Sequence, residues 1–193
     1  MTTLTYQERF KTEKGVFDEF THRALFELQS RGVFDELVSK ISVGKESGVF
    51  WGIKGSKKVV VKIYFVQNAN FNKMYDYIRK DPRYEFLKKH HRQIIFAWAQ
   101  REYKNLMRAQ KAKINAPKPL AFKENIIVEE FIGNEKPAPP LKDASPIDPK
   151  KCFDLIITDM KKLYAEGLIH GDLSSFNILN FHETPYFIDF SSK

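Results

Sequence analysis

The stretch GLIHGDLSSFNILNFHETPYFIDF, residues 167–190, contains the strongest structural signal in this chain of 193 residues. An apolar lead-in precedes a polar loop that holds His170, Asp172 and Asn177, and the residues after the loop predict a short β-hairpin. The second strand of that hairpin leads into Asp189. We therefore expect two carboxylates and one amide to converge at one edge of the fold.

The spacing of these groups indicates which reaction the loop could carry out. Four residues, LSSF, separate Asp172 from Asn177, which is typical of loops where the aspartate deprotonates an acceptor hydroxyl and the asparagine holds magnesium. The alternative is a turn with an exposed aspartate, a capping asparagine and a strand-ending Asp189. Because all three groups occur together, we predict a magnesium-dependent phosphotransfer site. Asp172 and Asp189 would be catalytic, and Asn177 and Asp189 would bind the metal.

Composition limits the class of protein. The chain is 42% hydrophobic and 29% charged, which is enough apolar material for a full core. A net charge of +8 favours anionic partners such as nucleotide or nucleic acid, although solubility alone would explain it. Cys152 is the only cysteine, which excludes an internal disulfide. The sequence has no apolar run of ~18 residues and no signal-peptide core, so we expect a cytoplasmic protein without a membrane partner.

Hydrophobic periodicity predicts the N-terminal elements. Apolar residues at steps of three and four predict an amphipathic helix from Val16 to Arg31, with Gly32 as its stop. Phe34 to Val38 is expected to add a short helical turn. The period then changes, and Lys40 to Phe65 predicts three strands, with a tight loop between the first two and a turn at residues 54–57 before the third.

The loop between the first two strands is a candidate phosphate contact. Gly44 and Gly48 lack a Cβ atom, so backbone N–H groups there can approach phosphate oxygens. An ordinary glycine-containing β-turn is the alternative. The nucleotide-binding residues predicted in this loop are Ser42, Gly44, Lys45, Glu46 and Ser47.

Two charged residues occur in otherwise apolar patterns. Lys62 lies within the strand VVVKIYF, and a buried lysine needs an anion, so we predict that it holds nucleotide phosphates. A helix from about Gln93 to Lys113 places Glu102 on the same face as Trp98 and Leu106. A carboxylate on a buried face requires a cation, and Lys62 is the expected partner. The alternatives are an outward-pointing lysine and an edge glutamate with its carboxylate in water.

Residues 67–91 are rich in charges and aromatics. Phe71 to Arg79 can form a helix that ends before Asp81-Pro82, and the rest is expected to be a mobile basic loop that covers the site. Pro117 to Gly133 predicts two further strands. A proline-rich linker follows, and Asp148 to Glu166 predicts a helix whose Met and aromatic residues lie in the core.

Eight ordered segments of the chain, taken together, resemble the RIO family of atypical serine/threonine protein kinases, nearest its Rio-one subfamily. The segments are VFDEFTHRALFELQSRG, ISVGKESGVF, VVVKIYF, NFNKMYDYIRKDPRY, WAQREYKNL, VEEFIGNEKPAP, HGDLSSFNIL and YFIDF.

The resemblance implies an α+β, bilobal kinase-like fold with a short helical C-lobe. It divides the chain into an N-terminal helical extension (1–39), an N-lobe (40–132) with a flexible loop (66–91), and a hinge, linker and C-lobe (133–193). It implies ATP and Mg²⁺ as cofactors and a partner in the small ribosomal subunit precursor or its RNA. Glu130 and Ile132 correspond to hinge residues that bind the adenine.

The resemblance also assigns roles to individual residues. It matches Lys62 and Glu102 to the phosphate-holding pair, and it links Asp189 to a phosphoaspartate state and an ATPase cycle. The sequence departs from the family pattern at Glu129, where an apolar residue is usual, at Gly171, and at Lys193, where the chain ends before further C-lobe helices. Two alternatives stay open: an RNA-binding factor with an idle nucleotide pocket, and a small-molecule phosphotransferase of the aminoglycoside or choline kinase type.

Overall fold

The computed structural model describes residues 17–66 and 71–191. The expected helix start at Val16, residues 67–70 of the expected loop and the chain end at Lys193 lie outside the described residues. The elements in chain order are α1 (Glu19–Ser30), β1 (Glu36–Val43), β2 (Ser47–Lys54), β3 (Lys57–Tyr64), α2 (Phe71–Ile78), a 3-10 turn (Pro82–Tyr84), α3 (His91–Lys111), β4 (Pro119–Lys123), β5 (Ile126–Glu130), α4 (Pro149–Ala165), β6 (Ile178–Phe181) and β7 (Thr184–Phe187).

The five N-terminal strands form one antiparallel sheet in the order β1-β2-β3-β5-β4. The central strand β3 is β-branched and buried along most of its length, as the sequence predicts. Gly52 of β2 lies so close to β1 that an added Cβ would come within 2.5 Å of the Glu36 carbonyl oxygen. The β6–β7 hairpin forms a separate two-stranded sheet. This α+β arrangement confirms the predicted fold class.

Helix α1 covers one face of the sheet. Its buried residues Ala24, Leu25 and Leu28 belong to a cluster with the alternate β3 residues Val59, Val61 and Ile63. Asp18 caps the helix by accepting a hydrogen bond from the Thr21 amide at 2.8 Å. Gly32 follows the helix with a φ of 68°, which favours glycine and confirms it as the stop.

The long helix α3 covers the other face. Ile94, Ile95 and Leu106 are buried there in a second cluster, which includes Phe187 and Phe190 from the chain's C-terminal part. The face of β3 that carries Lys62 and Tyr64 is therefore enclosed between the sheet, helix α3 and the C-terminal segment that contains Phe187 and Phe190. This enclosure positions the site described below.

Two expectations from the sequence are wrong. The predicted helical turn over Phe34 to Val38 is absent, because strand β1 begins at Glu36 and Leu37 pairs with Gly52. The side chains Phe153 and Tyr164 of α4 are not core residues, since they are 59% and 73% exposed.

The same correction applies to Met160, which is also exposed. Only one side of α4 is covered, and its buried residues are Cys152, Asp159 and Leu163. Helical spacing identifies apolar positions, but it does not show which of them a neighbouring element covers. Among the described residues, no helix has the length and apolar character needed to cross a bilayer.

Candidate active site

Lys62 is the centre of a buried charge network. Its Nζ atom donates to Glu102 Oε1 at 2.8 Å and to Asp189 Oδ1 at 3.0 Å. Both the lysine and Glu102 are buried, as the sequence predicts. Burial opposes the lysine charge, but the carboxylates of Asp189 and Glu102 outweigh it and hold the pKa of Lys62 well above its usual value. Lys62 therefore stays cationic, with two of its three N–H donors engaged.

Glu102 connects helix α3 to the sheet. Besides Lys62, it accepts a short hydrogen bond from the hydroxyl of Tyr64. Burial raises the pKa of the Glu102 carboxyl, and the Lys62 cation only partly offsets that effect. The fixed donors of β3 thus set the position of α3 relative to the sheet.

Asp189 is the second carboxylate of the network, but it lies nearer the surface. Its side chain is 39% exposed and accepts from Ser191 Oγ at 2.6 Å in addition to Lys62. Burial disfavours the ionised form of Asp189. The charge of Lys62 and the hydrogen bonds from Ser191 and Lys62 outweigh burial and lower the pKa of Asp189 to about 2. Solvent at the exposed part screens some of this attraction. Asp189 also has a φ of 63°, a left-handed backbone conformation that is uncommon outside glycine.

Asp172 and Asn177 form the second part of the site. Asn177 Nδ2 donates to the Asp172 carbonyl at 2.8 Å and lies 3.3 Å from its carboxylate Oδ2. The Ile188 amide donates to the Asn177 carbonyl at 3.0 Å, so the loop is tied to the strand that leads into Asp189. The sequence motif therefore brings Asp172, Asn177 and Asp189 to one edge.

Two positioning residues hold the loop around Asp189. His170 Nε2 donates to the Ile188 carbonyl at 2.8 Å, and burial lowers the pKa of His170, which favours the neutral ring. Asn105 of α3 donates to the Phe190 carbonyl at 2.9 Å. The HGD motif is a sequence signal for His170, but no local pattern indicates the contact between Asn105 and Phe190, which lie 85 residues apart.

The glycine-containing loop shares a cavity with the loop that holds Asp172. Ser42 ends up in β1 and Ser47 in β2, while Gly44 donates its amide to the Ser47 carbonyl at 2.9 Å. Glu46 and Asp172 line the same cavity of about 300 Å³. The other residues that line it are Lys73, Met74, Tyr77, Trp98 and Gly171. Of the five residues predicted in this loop, Glu46 is thus brought beside Asp172.

The strand β5 leads into the predicted hinge. The amide of Glu130 donates to the Lys118 carbonyl at 2.8 Å, and the Ile132 carbonyl accepts from Ala138 at 2.9 Å. The amide of Glu130 and the carbonyl of Ile132 are therefore already engaged within the protein. Adenine binding there remains a prediction.

Glu129 points into the cleft and not outward. Glu129 pairs with Val60 across the sheet, and cross-strand partners lie on the same face. Lys62 is two positions after Val60 in β3, so Lys62 lies on that face as well. Burial, and next the Glu102 carboxylate, raise the pKa of Glu129 to about 8. The usual apolar position of the family is thus occupied by a half-buried acid that is mainly protonated at neutral pH.

A five-stranded antiparallel sheet, a lysine–glutamate pair across to a long helix, and two loop aspartates define a kinase-like phosphotransfer fold. A family model described as the RIO domain matches residues 48–193. The chain belongs to the RIO domain family.

Proteins similar to this chain are Rio1-type kinases. The chain is 44% identical over 190 residues to the RIO-type serine/threonine-protein kinase Rio1 of Methanocaldococcus jannaschii, covering 97% of this chain and 65% of that protein. Identity to the human serine/threonine-protein kinase RIO1 is 31%, covering 94% of this chain and 33% of that protein. The chain therefore spans less than two thirds of the length of these relatives.

A solved structure shows the same fold. The Rio2 kinase of Chaetomium thermophilum, in its ADP/Mg²⁺-phosphoaspartate complex, superposes with a TM-score of 0.67 at 25% identity. The match covers 87% of this chain and 51% of that one.

Proposed function

We propose that the chain is an ATP- and Mg²⁺-dependent serine/threonine protein kinase or ATPase that acts on the small ribosomal subunit precursor in the cytoplasm. The observation that supports phosphotransfer most directly is the position of Lys62 between Glu102 and Asp189, at 2.8 and 3.0 Å. Such an arrangement fixes one cation at a site where phosphate charge must be neutralised. The ribosomal partner rests on the family resemblance together with the net charge of +8.

The oxygen atoms of the site fit magnesium. Asn177 uses Nδ2 for the Asp172 carbonyl, so Oδ1 is the amide atom suited to a cation. The Asp189 carboxylate offers about four lone-pair sites, and Lys62 and Ser191 do not exhaust them. Carboxylate and amide oxygens are the hard ligands that Mg²⁺ prefers. When bound, the ion would neutralise charge on the β- and γ-phosphates.

The protein's own groups then account for the transfer step. Asp172 would orient a serine or threonine hydroxyl and take its proton as the oxygen forms a bond to the γ-phosphorus. The bond from that phosphorus to the β–γ bridging oxygen breaks, and ADP leaves with the electron pair. The remaining N–H of Lys62 would hold a phosphate oxygen throughout.

The similarity to one solved structure favours ATP hydrolysis as a second activity. The similar Rio2 structure is a phosphoaspartate complex by its own description. In this chain Asp189 is ionised and held by Lys62. Its carboxylate oxygen could attack the γ-phosphorus, release ADP, and form an acyl phosphate that water then cleaves to inorganic phosphate.

Radiolabelled ATP separates these activities. We expect the purified chain to release phosphate or label a protein substrate only with Mg²⁺, and to do so faster with small ribosomal subunit RNA. RNA binding without any ATP turnover would instead support an RNA-binding factor with an idle pocket. Labelling of an aminoglycoside or choline, without label in protein or phosphate, would support a small-molecule phosphotransferase.

A further inference from the structure

The strand that leads into the predicted hinge carries a carboxyl group to which the transfer step described above gives no role. Glu129 is the fourth residue of β5, and its side chain is half-buried on the sheet face that carries Lys62. Ile127, two residues earlier and on the same face, is fully buried in the cluster with helix α3. Glu129 therefore lies where the fully buried part of this face ends.

The position of Glu129 along the sheet favours contact with a nucleotide base over contact with phosphate. Strand β5 runs antiparallel to β3, and Glu129 pairs with Val60, which is two residues from Lys62 on the side of the hinge. Two residues of a strand span about 7 Å. If Lys62 holds the phosphates, a group at this offset is placed toward the base end of the nucleotide.

The Glu129 carboxyl group has no hydrogen-bond partner among the described residues. Lys62 is the cation on the same face, and its Nζ atom donates instead to Glu102 and Asp189 at 2.8 and 3.0 Å. A half-buried polar group without a partner is costly to desolvate further unless the ligand that covers it forms hydrogen bonds with it. The occupant of this position should therefore offer groups complementary to a carboxyl.

The surroundings of Glu129 determine which groups are complementary. The charged groups that face it are Glu102 of α3, Lys62 of β3 and Asp189 of the C-terminal segment. Burial, followed by the Glu102 carboxylate, raises the pKa of Glu129 to about 8, although Lys62 opposes this shift. A protonated carboxyl presents one O–H donor beside one acceptor, the same pattern as the amide of asparagine or glutamine.

This pattern matches adenine and does not match guanine. The N7 atom of adenine is an acceptor and its N6 amino group is a donor, so an amide can bind both at once. Guanine presents acceptors at both positions, N7 and O6. A group with one donor and one acceptor can therefore satisfy only one of the two guanine atoms.

We propose that Glu129 is the residue that reads the nucleotide base, with its carboxyl group donating to N7 of adenine and accepting from the N6 amino group. This inference rests on the ATP site of the proposed function. It does not depend on whether the phosphate is transferred to protein or to water.

Calorimetric titration of the full chain with ATP, GTP and 7-deaza-ATP, each with Mg²⁺ at pH 7, tests the inference. In 7-deaza-ATP a C–H group replaces N7, so the unaltered chain should bind ATP about tenfold more tightly than this analogue. Glu129→Met should bind the two equally, and its preference for ATP over GTP should be about tenfold smaller. Glu129→Gln keeps one donor and one acceptor, so both preferences should persist.

Two further measurements isolate the carboxyl group. Glu85→Met removes an exposed carboxyl just after the 3-10 turn, and this control should have the preferences of the unaltered chain. Between pH 7 and pH 9 the preference of the unaltered chain for ATP over 7-deaza-ATP should shrink several-fold, because the donating proton is lost. The preference of Glu129→Gln should not change over this range.

The inference is overturned if folded Glu129→Met discriminates against 7-deaza-ATP as strongly as the unaltered chain does. It is also overturned if Glu129→Gln loses the preference together with Glu129→Met, or if the unaltered chain binds ATP and 7-deaza-ATP equally. Circular dichroism checks the fold of each variant, and the comparison of the two nucleotides on the unaltered chain needs no variant. Failure of the unaltered chain to bind any of the three nucleotides would instead overturn the proposed function, and this inference with it.

Discussion

Asp172 and Asp189 lie at the same edge of the site but are held in opposite ways. Asp189 accepts hydrogen bonds from Lys62 and Ser191, and the Asn105 bond to the next residue fixes its loop. Asp172 is exposed, lines an open cavity, and contacts the side chain of Asn177. The difference suggests separate duties: a preorganised carboxylate can hold a metal ion, whereas an accessible one can meet an acceptor that arrives from solvent.

The largest effect is expected from Asp172→Asn, which tests the proposed role of the accessible aspartate. The variant should bind ATP with Mg²⁺ nearly as the unaltered chain does, because Asp189 and Lys62 are untouched. Its turnover should fall by on the order of 10²–10⁴, the usual contribution of a general base. Phosphate release paired with calorimetric titration gives both values. Asp143→Asn, at an exposed position outside the site, is the matched control, and loss of ATP binding in Asp172→Asn would contradict the assignment.

Lys62→Met tests the other side of the comparison. It removes the cation that Asp189 and Glu102 share, so we expect turnover to fall by about 10²–10³, as when one electrostatic donor to a transition state is lost. ATP affinity should fall as well. Lys57→Met, at the exposed first residue of β3, is the control for loss of one lysine charge. Phosphate release at the unaltered rate in Lys62→Met would remove Lys62 from the site.

Glu129 is a further carboxyl of the cleft, and burial favours its protonated form. With a pKa of about 8 in the folded chain against 4.5 as its ordinary value, the folded state keeps a proton that the unfolded state releases. Stability should therefore fall as pH rises from about 4.5 to 8, and Glu129→Gln should remove that loss.

We expect the melting temperature of Glu129→Gln to exceed that of the unaltered chain by an amount that grows from about pH 5 to pH 8. A gain of about 2–4 °C corresponds to about 1 kcal/mol, a value discounted for the partly exposed side chain. Glu130→Gln, at the adjacent exposed residue, is the matched control for loss of one carboxyl group. A difference that stays constant with pH would mean that Glu129 is already ionised.

The smallest effect is expected at Asn105, which positions the loop of Asp189 through Phe190. Asn105→Ala leaves a buried carbonyl without its donor, at a cost of about 1–3 kcal/mol. We expect turnover to fall by about tenfold or less, with a higher Mg²⁺ concentration for half-maximal rate. That shift in Mg²⁺ dependence is absent if Asn105 serves stability alone, and Lys104→Ala on the exposed side of α3 is the control.

The sequence predicted the positions of candidate-site residues that are close in the chain or that lie within a clear hydrophobic period. Asp172 and Asn177 are close in the chain, and the apolar periods around Lys62 and Glu102 placed both in the interior, where burial forces opposite charges together. The same reasoning located β2, β3, α3 and the β6–β7 hairpin.

Other features depend on contacts that no local pattern encodes. Strand β1 begins at Glu36, within the predicted helical turn, because β2 is available as a partner. The exposure of Phe153 on α4 depends on what covers that helix. The contacts that distinguish Asn105 and Arg101 from other residues of α3 are made with Phe190 and Asp81, which lie far from them in the chain. Tertiary pairing, which sequence period alone does not specify, decides all four.

We propose above that Asp189 is the carboxylate that holds magnesium against ATP. This role can be tested by calorimetric titration of ATP into the unaltered chain and into Asp189→Asn, each with and without Mg²⁺. We expect Mg²⁺ to strengthen ATP binding to the unaltered chain and to have little effect on Asp189→Asn. If Mg²⁺ strengthened ATP binding equally in both proteins, Asp189 would not be the metal ligand, and the division of duties between the two aspartates would be wrong.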